Sequence, residues 1–211
     1  MRKAEKLAII DALEEKYKGT GTALNYNTPF ELLCAVIMSA QCTDERVNKI
    51  TARIFPRLNT PEKMLKLSQS ELEEEIRDCG LFRSKAKNLL GMCRMLLEEF
   101  DGEIPKDIKT LMKLPGVGQK TANVIASVIY KVPALAVDTH VFRTSHRLGL
   151  SKAKTPEATE LDLQKLIPKE KWADAHHWFI WHGRLVCKAR KPECKNCPAV
   201  ELCPYKEKNF D

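Results

Sequence analysis

One lysine stands alone in an apolar part of this sequence and could act as a nucleophile. Lys120 is the only charged residue between Lys113 and Lys131, and it opens a run whose apolar and small residues predict a buried helix. The positive end of the helix dipole and apolar surroundings would both favour the neutral amine, which is the form that attacks carbon. The alternative is a surface lysine that covers apolar neighbours and reaches a phosphate.

Two glycines precede this lysine within the segment LPGVGQKTA, residues 114–122. Glycine can turn the backbone through positive φ and leaves amides accessible where no Cβ blocks them. Because Gly116 and Gly118 lie between two helical runs, their amides would meet a helix N-terminus, where an anion is favoured. The segment therefore predicts a helix–hairpin–helix that holds a phosphate without reading base sequence; the simpler alternative is a tight turn.

A carboxylate follows the uncharged run VPALAV and could work with the lysine. Such a residue is expected to be paired, to cap a helix or to take part in catalysis. Asp138 could accept backbone N–H groups of the next helix, or it could face Lys120 and take its proton. On that next helix, His140, Arg143 and Arg147 would either form a solvated face or contact phosphates.

Four of the eight cysteines crowd the C-terminal region with the spacing C-x6-C-x2-C-x5-C: Cys187, Cys194, Cys197 and Cys203. The segment is too short to bury a core of its own, so a metal centre would have to organise it. A [4Fe-4S] cluster is held by four cysteine thiolates and tolerates irregular spacing, whereas zinc sites usually show two close pairs. Zinc and free structural cysteines stay open as alternatives.

Basic residues lie among these cysteines and follow the helix before them: Arg184, Lys188, Arg190, Lys191 and Lys195. They are typical either of a solvated loop or of a metal-ordered loop that presents cations to phosphates. The formal net charge of +7 and the pI of about 8.9 are compatible with a polyanionic partner but do not establish one.

The elements that must position these residues are all helices. An amphipathic first helix is predicted by Leu7, Ile10, Leu13 and Tyr17. Further boundaries are predicted by caps at Thr60 and Thr155 before proline, a capping box at Ser70 and Glu73, a stop at Gly80 and a cap at Ser84. One long helix is predicted over residues 170–187, and about ten helices in all.

Several features exclude other classes of protein or function. No stretch approaches the length of a membrane span, and the N-terminus lacks an apolar signal core, so we expect a cytoplasmic protein without a membrane segment. The histidines of HHWFIWHG are interpreted as structural rather than as a second metal site. The remaining cysteines are interpreted as small buried apolar residues: Cys34, Cys42, Cys79 and Cys93.

The ordered set of motifs resembles the endonuclease III family of helix-hairpin-helix DNA glycosylases. LPGVGQKTA, VDTHVFR and the cysteine spacing carry the resemblance, and VIMSAQCTDERVN and GLFRSKAKNL also match family segments. The resemblance spans essentially the whole chain. It implies a two-lobed all-α fold, with a six-helix bundle at residues 22–132 that contains the hairpin. Residues 1–21 and 133–211 would form a discontinuous lobe whose loop, 187–203, carries a [4Fe-4S] cluster.

The resemblance also implies an activity: removal of oxidised pyrimidines from duplex DNA and cleavage of the strand 3′ to the abasic site. Lys120 would attack C1′ to form a Schiff base, and Asp138 would activate the lysine and stabilise the sugar cation. Gln41 and Leu81 match the family residues that fill the gap left by the flipped base. Taken without the family, Gln41 is a helix-end polar residue and Leu81 an ordinary core leucine. The expected partner is double-stranded DNA with an oxidised pyrimidine or an abasic site, bound by a monomer associated with the nucleoid.

Three other functions compete with this interpretation. The related mismatch adenine glycosylases generally lack the nucleophilic lysine and carry a further C-terminal domain, and monofunctional thymine glycosylases carry tyrosine at the lysine position. Lys120 argues against both. A non-catalytic helix-hairpin-helix module would explain Gly116, Gly118 and the basic loop, but it would not explain the lysine and the aspartate.

Overall fold

The computed structural model describes all 211 residues and contains helices and no strand. The chain divides into two compact units. The unit of residues 22–130 contains α2 (Pro29–Ser39), α3 (Asp44–Ile54), α4 (Pro61–Met64), α5 (Gln69–Glu75), α6 (Phe82–Glu99), α7 (Ile108–Leu111) and α8 (Gln119–Tyr130). The unit of residues 1–21 and 131–211 contains α1 (Lys3–Tyr17), α9 (Thr139–Arg147), α10 (Pro156–Gln164) and α11 (Trp172–Leu185), with 3-10 turns at Lys169–Lys171 and Cys194–Asn196. The all-α prediction is confirmed. None of the helices combines the length and the apolar composition that a membrane span needs.

Helix α2 is the central element of the unit formed by residues 22–130. Its nine residues from Phe30 to Met38 are all buried, as expected of a helix that is apolar on every side. Thr28 begins it by accepting the Glu31 N–H at 3.2 Å, with Pro29 at the first helical position. Helices α3, α6 and α8 pack against α2, so the hairpin before α8 is attached to a rigid core.

The other unit is built around α11, against which α1 and α9 pack. Ile10, Leu13 and Tyr17 of α1 are buried in its core, while Leu7 packs at the margin, so the predicted amphipathic first helix is confirmed. Burial of apolar side chains at this spacing supplies most of the stability of such a helix. The arrangement fixes both α9, which follows Asp138, and the C-terminal end of α11, which leads into the cysteine segment.

Of the four predicted caps, two are confirmed and two are wrong. Thr60 and Thr155 each accept the N–H of the residue three positions later. The capping box lies at Ser68 and Glu71 rather than at Ser70 and Glu73. The sequence offers the same spacing at both positions, and the earlier one makes Leu72 the first apolar residue of the helix, fully buried.

The link between α5 and α6 also differs from the prediction. Helix α5 ends at Glu75, so Gly80 does not terminate it. Helix α6 begins at Phe82 after a left-handed residue, Leu81, and Ser84 therefore lies inside its first turn rather than before it. A leucine with positive φ is not recognisable from sequence, because that conformation is disfavoured for any residue with a Cβ.

Helix α11 is shorter than predicted, covering Trp172–Leu185 instead of residues 170–187. Its histidines are buried, and His176 Nδ1 lies 2.7 Å from the Ala136 carbonyl oxygen. Burial lowers the pKa of His177 to about 4, so this imidazole is neutral in the core at physiological pH. His182 Nδ1 lies 3.2 Å from the Tyr17 hydroxyl, which ties α11 to α1.

Candidate functional site

The predicted hairpin connects α7 to α8. Asp107 caps α7 by accepting the Thr110 N–H at 2.9 Å, and the turn is closed by the Val117 N–H, which donates to the Leu114 carbonyl at 3.0 Å. Leu114 and Val117 are buried. The apolar residues of the turn therefore anchor it, while its glycines remain exposed.

The two glycines have different reasons to be glycine. Gly116 has a φ of +81°, and a Cβ there would lie 3.0 Å from the Cβ of Asn88, so both conformation and space require glycine. Gly118 lacks a positive φ, and a Cβ would project into open space. Gly118 therefore needs no positive φ, and nothing inside the chain requires a glycine there.

Helix α6 supports the hairpin, which sequence reasoning missed. A Cβ on Gly91 would lie 3.2 Å from the ring of Pro115, and Asn88, three residues earlier on the same face, contacts Gly116. The small residue at position 91 lets the turn approach the helix backbone closely. An isolated glycine inside a long helical pattern was the available signal.

Lys120 is the second residue of α8, directly after the hairpin. Its side chain is exposed, whereas the buried residues of α8 begin at Ala122. The expectation of apolar surroundings for this lysine is therefore wrong. A position in the first helical turn leaves the amine at the positive end of the helix dipole and accessible to a large ligand.

Asp138 belongs to the other unit and caps α9. Its Oδ1 accepts the N–H groups of His140 and Val141, each at 2.8 Å, so the capping interpretation is confirmed. The residues before it, Ala134–Ala136, are buried, and Asp138 itself is half-buried. One carboxylate oxygen is thus held by the helix, which fixes the orientation of the whole carboxylate.

Gln41 and Leu81 lie on neighbouring turns and share an unusual conformation. Both have positive φ, 53° and 59°, and both are exposed, Leu81 by 58%. A Cβ on Gly80 would lie 3.1 Å from the Gln41 carbonyl oxygen, so the two turns touch. The expectation that Leu81 is an ordinary core leucine is wrong. Strained, exposed residues on adjacent turns are typical of a functional surface.

Arg143 has a structural position that the sequence did not reveal. Its guanidinium donates to the carbonyl oxygens of Gly183 at 2.9 Å and Cys187 at 3.1 Å, and it lies 3.2 Å from His140 Nδ1. These contacts join α9 to the end of α11. Burial lowers the pKa of His140, although the Asp138 carboxylate opposes that shift.

A second arginine of α9 holds the cysteine segment. Arg147 donates to the Lys188 carbonyl at 2.6 Å and the Ala189 carbonyl at 3.0 Å, and its Nη1 lies 3.8 Å from Cys187 Sγ. The guanidinium also stacks on Tyr205, 4.6 Å from the ring centroid. These contacts give Arg147 a structural role within the chain, which its helical spacing from Arg143 did not reveal.

The four C-terminal cysteines lie in one segment of the structure, but no three of them are already grouped as ligands of a single metal ion. Burial is the largest cause that raises the pKa of Cys197 to about 11, and the thiols of Cys203, Cys187 and Cys194 contribute to the rise, so the other three sulfurs lie within electrostatic reach of Cys197. N–H groups point at the sulfurs: Asn209 donates to Cys194 Sγ at 3.4 Å, and Ala199 donates to Cys197. Four thiols with backbone and guanidinium donors fit an iron–sulfur cluster, whose thiolates such hydrogen bonds stabilise.

The basic residues of this segment are exposed, apart from Arg184, which is half-buried with its guanidinium 5.7 Å from the ring centroid of Trp181. Lys191 has a φ of 47°, so it joins Gln41 and Leu81 among the strained, exposed residues. Lys188 forms an ion pair with Glu193. Arg190, Lys191 and Lys195 present their charges to solvent around the four cysteines.

Comparisons with known proteins agree with these observations. Residues 34–169 match the HhH-GPD superfamily of base excision DNA repair proteins. Endonuclease III of Escherichia coli strain K12 is 47% identical over 208 residues, covering 99% of each chain. A solved structure of a trapped covalent intermediate of endonuclease III with DNA is similar, with a TM-score of 0.92 and 45% identity, over 97% of this chain and 96% of that chain. A thermostable thymine-DNA glycosylase, 22% identical over 96% of each chain, shares the fold with a TM-score of 0.85.

Proposed function

Since the chain belongs to the HhH-GPD superfamily of base excision DNA repair proteins, and within it to the endonuclease III family, we propose which residues carry its reaction and which lesions it removes. The protein is a DNA glycosylase and abasic-site lyase. Its substrate is double-stranded DNA with an oxidised pyrimidine or an abasic site. The observation that carries the proposal is Lys120, exposed in the first turn of α8 directly after the glycine hairpin.

The hairpin binds a phosphate of the DNA backbone. Gly118 supports this role because nothing inside the chain requires glycine there, whereas a phosphate could approach the backbone closely only where no Cβ intervenes. Gly116 shapes the turn, and Asn88 and Gly91 of α6 keep it in place. These contacts position the DNA without selecting a base sequence.

Gln41 and Leu81 occupy the space that the damaged nucleotide leaves when it flips out of the duplex. Flipping is required because C1′ cannot be reached within the base stack. The two turns touch, which suits side chains that enter the stack together. An exposed leucine is favourable in this role because its burial between bases offsets part of the unstacking cost.

Lys120 is the nucleophile. Asp138 accepts a proton from it and stabilises the positive charge that develops on the sugar. The amine attacks C1′, and the base leaves with the electrons of the glycosidic bond and takes up a proton from water. Asp138 receives a proton from the attacking nitrogen and returns it to O4′ as the C1′–O4′ bond breaks, which leaves the Schiff base. The resulting Schiff base acidifies the hydrogen on C2′. Loss of that proton eliminates the 3′ phosphate and cleaves the strand. Water then releases Lys120, so atoms and charges balance over one turnover.

Cys187, Cys194, Cys197 and Cys203 would hold a [4Fe-4S] cluster in the unit formed by residues 1–21 and 131–211. When bound, the cluster supplies the cross-link that orders a segment too short for its own core. Arg147 and Arg143 hold that segment from the α9 side. Arg184, Lys191 and their exposed basic neighbours then face the DNA backbone, together with His140.

The activity is tested with duplex oligonucleotides that carry one thymine glycol or one abasic site. We expect strand cleavage 3′ to the lesion in both substrates and none in the undamaged duplex. Release of the base with an intact strand would contradict the lyase assignment and indicate a monofunctional glycosylase. Tight binding with no reaction on either substrate would instead indicate a binding module.

The role of Asp138 beyond capping is tested by Asp138→Asn. Asparagine caps helices as well as aspartate does, so we expect the free energy of unfolding to remain within about 0.5 kcal/mol of the wild-type value. The single-turnover rate should fall by roughly 10²–10⁴, the usual contribution of a positioned acid–base group. Asp138→Ala should lose the rate and about 1 kcal/mol of stability as well. An Asn variant as active as the wild type would leave Asp138 as a cap only.

Strain at Leu81 is tested by Leu81→Gly. Glycine accepts positive φ, which costs other residues about 1–2 kcal/mol, so the variant should be at least as stable as the wild type while cleaving lesion DNA more slowly. Asp101→Gly is the matched control, because Asp101 is exposed with a φ of 51° in the same unit but outside the proposed DNA surface. It should keep full activity; equal losses in both variants would contradict the assignment.

A further inference from the structure

A second group of reactive side chains lies beneath the turns that carry Gln41 and Leu81. Cys79 is 1% exposed, and its thiol donates to the Met38 carbonyl at 3.2 Å. The turns that carry Cys42 and Cys79 touch, because a Cβ on Gly80 would lie 3.1 Å from the Gln41 carbonyl oxygen, and the Cys42 thiol contributes to the raised pKa of Cys79. Cys42 itself is half-buried. The two cysteines therefore form a dithiol with one partner open to solvent and the other inside the unit.

A buried lysine completes the group. Lys85 of α6 is only 4% exposed, and its Nζ lies 3.1 Å from Cys79 Sγ. Burying an ammonium is costly unless an acceptor accompanies it, and the acceptor here is sulfur. Burial raises the pKa of Cys79, while the hydrogen bond and the charge of Lys85 oppose that rise. Lys85 thus stabilises the thiolate form of Cys79 at the moment when that thiol reacts.

We propose that Cys42 and Cys79 are a redox-active dithiol that hydroperoxides convert to a disulfide. The more exposed Cys42 thiolate attacks one peroxide oxygen, the O–O bond breaks, and Cys42 becomes a sulfenic acid while the second oxygen leaves as water or alcohol. The Cys79 thiolate then attacks the Cys42 sulfur and expels hydroxide, which takes up the proton that Cys79 lost. The dithiol loses two electrons, the peroxide gains two, and a thiol reductant reverses the change.

The remaining cysteines lack this combination of access and charge. Burial raises the pKa of Cys34 and Cys93, and Cys34 is fully buried, so peroxide has no path to either thiolate. The four C-terminal cysteines are the proposed cluster ligands. Cys42 and Cys79 are consequently the pair for which the structure provides a half-buried attacking thiol, a buried resolving thiol and a cation.

Formation of the disulfide would alter the DNA-contacting turns, a consequence that rests on the proposed function. Cys42 directly follows Gln41, and Cys79 precedes Leu81 by two residues. The turns already touch through Gly80 and the Gln41 carbonyl, and a bond of about 2.05 Å between the sulfurs would fasten them to each other, which we expect to displace Gln41 and Leu81. A displacement of about 1 Å in a positioning group can cost about 10²-fold in rate, and we expect oxidation to lower lesion cleavage by about tenfold or more.

The link itself is tested without any activity measurement. Cluster-loaded protein is treated with hydrogen peroxide, its free thiols are alkylated, and its peptides are analysed by mass spectrometry before and after dithiothreitol. We expect a Cys42–Cys79 cross-linked peptide that reductant splits, absent from Cys42→Ser and formed more slowly in Lys85→Met. Cys93→Ala, which alters a buried cysteine, should form the link at the wild-type rate. Full alkylation of both Cys42 and Cys79 after peroxide would overturn the proposal.

A second experiment distinguishes failure of the dithiol proposal from failure of the proposed function. Lesion cleavage is compared before and after peroxide in the wild type and in Cys42→Ser, with the visible absorbance recorded to detect damage to the cluster. Loss of activity in the wild type alone, restored by dithiothreitol, supports the regulatory consequence. Equal activity of linked and reduced protein overturns that consequence. A reduced protein that never cleaves lesion DNA, yet forms the link, contradicts the proposed function while the dithiol stands.

Discussion

Replacing Lys120 with alanine should abolish covalent trapping of the protein on DNA. When borohydride is added to wild-type protein and a duplex with one abasic site, it should reduce the Schiff base and leave a stable protein–DNA adduct. In Lys120→Ala we expect no adduct and a strand-cleavage rate lower by roughly 10⁴ or more, since removal of a nucleophile eliminates the covalent route. The adduct is measured as a band of reduced mobility on a denaturing gel.

The matched control is Lys113→Ala. Lys113 is exposed, lies just before the hairpin and carries the same charge, so its removal should weaken binding slightly and leave trapping intact. An adduct that persists in Lys120→Ala would place the nucleophile elsewhere. No adduct in any variant, combined with tight DNA binding, would contradict lyase chemistry altogether.

The exposure of Lys120 changes how its reactivity must be explained. The sequence predicted activation by apolar surroundings, but the side chain is open to solvent. The remaining contributions are its place in the first turn of α8, where the helix dipole opposes a positive charge, and the groups that gather around the amine once DNA covers it. Water excluded by bound substrate strengthens both effects, which makes the lysine reactive mainly in the complex.

The parts of the site that rest on local chemistry could be predicted from sequence. The hairpin follows from Leu-Pro and two glycines between helical runs, and the Asp138 cap follows from a carboxylate at the end of an apolar segment. The cysteine segment follows from spacing alone. Each of these depends on residues that are close in sequence, at most the sixteen positions from Cys187 to Cys203, where local backbone propensities and spacing act.

The parts that depend on tertiary contacts could not be predicted in this way. Arg147 holds the carbonyl oxygens of Lys188 and Ala189, about forty positions away, and no periodicity reveals such a partner. The positive φ of Leu81 is imposed by the packing of the turns against each other, against its own preference. The burial of Lys85 within α6 is recognised only from the Cys79 thiol beside it, which the sequence does not place there.

Loss of one C-terminal cysteine should have the second large effect. Cys197→Ser removes the thiol whose pKa is raised by each of the other three cysteines of the segment, Cys187, Cys194 and Cys203. We expect wild-type protein to contain about four iron atoms and a matching amount of acid-labile sulfide per chain, and the variant to lose both. Because binding of a structural metal centre contributes on the order of 10 kcal/mol to order in its segment, trypsin should then cut rapidly at Lys188, Arg190 and Lys195. Stoichiometric zinc in the wild type would contradict the cluster.

Cys93→Ala controls for the loss of a buried thiol that binds no metal. It leaves a small cavity in the core around α6, costing roughly 1 kcal/mol, and should retain iron, protease resistance at the C-terminal segment and DNA affinity. If it loses iron as readily as Cys197→Ser does, the metal content reports general unfolding rather than ligation.

Lys120→Ala and Cys197→Ser should affect different steps. The comparison tests whether Lys120 acts in the chemical step and the cysteine segment in DNA binding. Lys120→Ala removes a reacting group and leaves the hairpin and the basic segment in place, so its affinity for lesion DNA should stay near the wild type while the chemical step stops. Cys197→Ser disorders exposed cations and leaves Lys120 intact, so affinity should fall and depend less steeply on salt. At protein concentrations that saturate the DNA, Cys197→Ser should recover much of its cleavage rate, whereas Lys120→Ala should recover none. Equal recovery in both variants would mean that the cysteine segment and the lysine act in the same step.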